Sequence, residues 1–251
     1  MLQKTNLEKC KEMAINFLYL DIDTSSEFAP AIVSHPFFES AFNVAENGEL
    51  VDILEDKKGY QSVINVTKKK IEKISDYEYF FMLITKPYRM VFLKYTMPFL
   101  DKEDFSKALI STWISDERAN SNCNVTKREL LNYFQKASRE YLMNKEELEI
   151  YKQLDDVVTV YRGVSEYNKN NIKVLSWTLD KEKAEWFANR WKTIGYVYQA
   201  KINKNDIIAF CDQRAEKEII VNYNKLYDIE LVNTIENNLD EVNQDYNDYD
   251  Y

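Results

Sequence analysis

Four glycines, four prolines, three cysteines and a single histidine are spread over 251 residues, and each shortage removes a class of function. There is no G-x-G-x-x-G and no Walker A pattern, so phosphate cradles built on glycine loops are excluded. Any ligand has to be held largely by side chains. The lone histidine, His35, stands beside Pro36 in a loop-like stretch. One histidine cannot build a His-rich metal site, and His-dependent catalytic triads fit poorly. No metal is expected, and His35 is expected at the surface or partly packed. Cys10, Cys123 and Cys211 lie far apart and form no C-x-x-C pair or disulfide framework. They read as reduced thiols in a cytoplasmic protein.

Long uncharged apolar runs are missing as well. The most apolar stretch, 77–100, is interrupted by Lys86, Pro87, Arg89 and Lys94. A bilayer span needs about 20 nearly uncharged residues, so this stretch reads as core and no membrane partner is expected. The first residues carry charge at once and give no signal-peptide pattern. Clustered positive charge is absent too. Net charge is -9, and residues 236–251 supply six acidic side chains with no Lys or Arg. The remainder, at about -3, is nearly balanced and offers no basic footprint for nucleic acid.

What is present is core-forming material: 45% of residues are hydrophobic. Apolar residues at three- and four-residue steps predict helices from Leu7 to Leu18 and over 61–74. Pro87 parts two buried helices over 76–86 and 88–97, and Asp101 or Asp104 caps another over 105–118. Thr126 and Glu129 match a capping box opening a helix to about Tyr141, and 145–154 is a further short helix. From Val157 the texture changes to β-branched and aromatic runs at 157–164, 174–179, 196–202, 206–210, 218–223 and 227–232. Asp180 caps a helix over 181–191, with Trp186, Phe187 and Trp191 read as core. The expected class is α+β: a helical region (1–154) packed against a β-rich core of two small sheets (155–235). An acidic tail, 236–251, is expected to be disordered.

Three segments carry the chemistry. Val-Tyr-Arg-Gly occupies 160–163, Leu-Ser-Trp-Thr 175–178, and Arg-Ala-Glu-Lys-Glu-Ile-Ile-Val 214–221. In order and strand placement they resemble the signature of mono-ADP-ribosyltransferases of the arginine–serine–glutamate class. That signature is an Arg on the first strand, Ser-Thr-Ser on the next and Glu-x-Glu on a later one. Arg162 matches the first, Ser176 opens the second, and Glu216 and Glu218 form the third. Trp177 and Thr178 depart from the Thr and Ser of the middle motif. The likeness covers about 157–232.

The resemblance implies an enzyme that splits NAD, its substrate, between nicotinamide and ribose and passes ADP-ribose to a protein acceptor. Glu218 would face the oxocarbenium-like ribose; at ~5 Å and an effective dielectric of ~20 that attraction is about 3 kcal/mol, or roughly a hundredfold in rate. Glu216 would activate the acceptor, which in the family is more often arginine when this position is Glu. Arg162 would hold the pyrophosphate or its ribose, and Ser176 would fix Glu218 by a hydrogen bond. Gly163 would let the backbone approach the ligand, and Thr178 would support the site. Tyr161, Tyr196, Tyr198 and Phe210 are the candidates to stack on nicotinamide. Arg162 at the first position, with no histidine there, separates the chain from the histidine–tyrosine–glutamate branch. A bacterial or phage effector or toxin fits this picture. So do an NAD glycohydrolase using the same glutamate and a non-catalytic binding or inhibitor module with this fold.

Overall fold

A computed structural model describes residues 4–24, 29, 31–116, 124–191 and 193–236, which form a mixed α+β architecture. Cys123 and the acidic tail beyond Glu236 lie outside the described residues. The chain divides into two units, 1–141 and 142–251. Among the described residues no helix is long and apolar enough to cross a membrane.

The first unit is mainly helical. Helix α1 (Leu7–Leu18) starts where the Asn6 side chain accepts the Lys9 N–H, and it buries Cys10, Ala14, Phe17 and Leu18. A hairpin of β1 (Phe42–Val44) and β2 (Leu50–Asp52) precedes α2 (Lys57–Glu72), so this region is not wholly helical. After a tight turn come α3 (Phe80–Leu83) and α4 (Lys86–Thr96). Pro87 sits in the first turn of α4, where its missing N–H leaves no helical bond unmade. Asp101 caps α5 (Lys102–Ser115). The Thr126–Glu129 box opens α6 (Lys127–Lys136), and α7 (Arg139–Leu142) follows as a separate turn. Trp113 meets Phe134 edge-on at 5.2 Å in the interior.

His35 departs from the expectation of a surface or partly packed residue. It is 1% exposed and stacks on Phe38, and its Nδ1 accepts the Phe37 N–H. Burial pushes its pKa down to about 4.

The second unit begins earlier than the β-rich texture, because α8 (Lys145–Gln153) belongs to it. Then come β3 (Val157–Ser165), β4 (Ser176–Thr178), α9 (Lys181–Asn189), β5 (Gly195–Asn203), β6 (Ile207–Cys211), β7 (Glu218–Val221) and β8 (Tyr227–Ile235). The strands make one sheet in the order β6-β7-β4-β3-β5-β8, where two small sheets were expected. The join in the middle is thin. β3 pairs with β4 through Tyr161 and Thr178 alone, whereas β3 pairs with β5 over nine consecutive residues. Two halves, β6-β7-β4 and β3-β5-β8, thus meet at a single bridge.

Helix α9 packs on β3 and β5 through Ala184, Ala188 and Val197, with Tyr161 against the same cluster. Small residues permit the close approach: a Cβ on Gly163 would lie 1.8 Å from the Ala184 carbonyl oxygen. Phe187 on α9 is partly buried, whereas Trp186 faces out, as does Trp191 just past the helix. Trp186 and Trp191, expected in the core, are more than half exposed, with Arg190 over both rings. The outer edge of β6 is met by α8 and the residues just before it: the Phe210 N–H meets the Met143 sulfur, and the Asp212 N–H, just past the strand, donates to Glu147 on α8.

Candidate active site

The site lies at the thin join of the sheet. Strand β7 enters beside β4, so the strands bearing Glu218, Ser176 and Arg162 are consecutive neighbours although far apart in sequence. Residues Cys211, Glu218 and Thr178 stand in one row across β6, β7 and β4. Phe210, Ile219 and Trp177 form the next row, apolar and buried. Pleat alternation then leaves Glu218 facing differently from the apolar row that fixes its strand.

Arg162 spans the join. Its Nη1 donates to the Ser176 carbonyl at 2.7 Å. With only one bridge between β3 and β4, backbone acceptors there are left for a side chain. The Nε–H of Arg162 is sealed from solvent and has no hydrogen-bond partner among the described residues. Burial lowers this guanidinium's pKa to about 10, and the charge of Glu218 offsets part of that effect. Arg162 is therefore a cation at neutral pH, in the field of Glu218 and with a donor unspent. Such a group suits an anionic ligand.

The two glutamates are brought together differently from the expectation. Glu216 does not lie on the strand with Glu218; β7 begins at Glu218 itself. A tight turn precedes it, in which Ala215 donates to the Asp212 carbonyl and the Lys217 N–H to the Asp212 side chain. Ala215 and Lys217 take φ of 52° and 43°, the left-handed region that costs non-glycine residues energy. What unites the pair is Arg214. Its Nη2 lies 2.8 Å from Glu216 Oε2 and 3.5 Å from Glu218 Oε2. The Glu218 side chain is 5% exposed and that of Glu216 20%. One guanidinium therefore lies between two carboxylates, one nearly sealed and one reachable.

The remaining expected residues separate into two groups. Thr178, expected to support the site, is the residue directly across from Glu218; Ser176 faces Ile220. The Thr178 hydroxyl donates to the Glu216 carbonyl at 2.7 Å and accepts the Asp180 N–H at 3.0 Å. It is thus engaged in holding the turn and the start of α9. Ser176 contributes its carbonyl to Arg162. Tyr161 stands across from Thr178, in the row that continues to Glu218, and it packs against the α9 cluster; Gly163 lies against the α9 backbone. Phe210 is buried, and Tyr196 donates its hydroxyl to Glu166. Tyr198, paired across β5 with Arg162, is the candidate aromatic on the side of β3 away from α9.

Two contributors were not assigned from sequence. Arg214 opens the third segment, and its spacing, two and four residues before the glutamates, is the signal that could have revealed it. Glu147 is buried on α8 and fixes Asp212, hence the whole turn. Cys211, beside Glu218, is held protonated by burial and then by that neighbouring charge, so it is no nucleophile at neutral pH. Compared with known proteins, the chain matches no family model, no curated protein and no solved structure.

Proposed function

We propose that the second unit is an NAD-dependent mono-ADP-ribosyltransferase that transfers ADP-ribose to a protein side chain, with arginine the acceptor favoured by Glu216. One observation carries the reading. Strands β3, β4 and β7 lie side by side, so Glu218 and a half-buried arginine with an unspent Nε donor share one junction, with a second glutamate bound to the first through Arg214. Arg162 holds the pyrophosphate region of the dinucleotide by charge-assisted hydrogen bonds. Glu218, kept from solvent, stabilises positive charge on the ribose as nicotinamide leaves, where low local dielectric strengthens the interaction. Glu216, closer to solvent, takes the proton of the incoming nucleophile. Thr178 and Glu147 position the turn that carries Glu216.

Incubating the protein with labelled NAD and bacterial lysate, beside Glu218→Gln, tests this. Labelling of a lysate protein by wild type is expected, with a loss of about a hundredfold in the variant. Equal labelling by both would remove Glu218 from the chemistry. Glu216→Ala is expected to lose transfer while retaining NAD hydrolysis; joint loss of both would contradict the division of roles. Nicotinamide release without any protein label would select a glycohydrolase, and no NAD binding at millimolar concentration a non-catalytic module.

A further inference from the structure

The loop before β7 puts one of the chain's own guanidiniums against the acceptor-activating carboxylate. We propose that Arg214 is a self-modification site, and that with NAD present the protein transfers ADP-ribose to its own Arg214. This rests on the NAD-cleaving reading above. Arg214 Nη2 is 2.8 Å from Glu216 Oε2, within the reach a general base needs to take a proton from a nucleophile. The same nitrogen is 3.5 Å from Glu218 Oε2, the carboxylate assigned to the sugar cation.

The surrounding backbone holds that placement. Asp212 is fixed by Glu147 and in turn receives the N–H groups of Ala215 and Lys217. Thr178 anchors the Glu216 carbonyl. Between these anchors the Arg214 side chain stays 38% exposed, open to an arriving substrate. A nucleophile already resting on its base also competes well: effective molarities of well-placed intramolecular groups reach about 10⁵ M or more.

The step balances without a further reagent. The bond from ribose C1′ to the nicotinamide nitrogen breaks, and its electron pair returns to the ring, releasing neutral nicotinamide. A guanidine nitrogen of Arg214 bonds to C1′. The proton it gives up passes to Glu216 and then to solvent.

The experiment uses the full chain with NAD and no other protein. Peptide masses across 213–217 and released nicotinamide are measured in one sample. An affinity-tagged Glu218→Gln chain is added as a bystander. The expected result is one ADP-ribose on Arg214 of the wild-type chain and none on the bystander. Nicotinamide release with Arg214 unmodified would overturn this inference and leave the transferase reading standing. Label on the bystander's Arg214 would overturn transfer within one chain. No nicotinamide release would overturn both. Arg214→Lys, confirmed folded by its thermal melt, is expected to carry no label in this segment; retained label there would place the modification elsewhere.

Discussion

A methyl group at Gly163 would lie 1.8 Å from the Ala184 carbonyl oxygen and 2.7 Å from the Ala188 nitrogen. Both are backbone atoms of α9, so neither can swing aside. Gly163→Ala is therefore expected to cost about 3 kcal/mol, at the upper end for overpacking, through loss of the α9 contact with β3. Urea unfolding measures it; a cost below the noise would mean α9 moves freely on the sheet. His35 supplies a second test at this scale. Its folded pKa of about 4 lies below the ordinary value of 6.5, because the neutral ring is the buried form. The unfolded chain then binds the proton first as pH falls, so the contribution of His35 to stability is complete above 6.5 and is lost between 6.5 and about 4. Since the chain holds one histidine, a single imidazole resonance reports this directly. A resonance titrating near 6.5 in the folded protein would contradict the burial.

Elements whose ends carry cap chemistry were the most legible in the sequence. Asp101, Thr126 with Glu129, and Asp180 each start a helix as read, because a short side-chain oxygen beside an apolar repeat has few other local uses. The strands from Val157 onward were legible for a similar reason, as β-branched runs between polar turns. Local signals failed at the turn before β7. Alternation would set Glu216 and Glu218 on one strand face, but positive φ at Ala215 and Lys217 breaks the strand there. Neither residue is glycine, so nothing in composition announces the break; Asp212 and its partner Glu147, 65 residues away, impose it. Glu147→Ala removes the acceptors of both the Asp212 and the Asn144 N–H groups. It is expected to cost about 3 kcal/mol, as loss of two hydrogen bonds to a buried charge. It should also speed amide exchange at Asp212 and Lys217. Unchanged exchange would mean that α8 does not fix the turn.

At the scale of the whole molecule, the α+β class was legible and the order of strands was not. No local rule places β7 between β6 and β4, yet that insertion brings Glu218 to the join that Arg162 spans. Nor does sequence reveal that the two halves of the sheet meet at one bridge, Tyr161 with Thr178, which frees the Ser176 carbonyl for Arg162. Likewise the exposure of Trp186 depends on which face of α9 meets Gly163, a choice made by packing. The central claim is that this join is a site where a shielded carboxylate assists nicotinamide departure. The most direct measurement is the rate of nicotinamide release from NAD by purified wild type and Glu218→Gln, each first shown by calorimetry to bind NAD. The account predicts release by wild type and a rate about a hundredfold lower in the variant at similar NAD affinity. Equal rates in the two proteins, or bound NAD left intact by wild type, would contradict it.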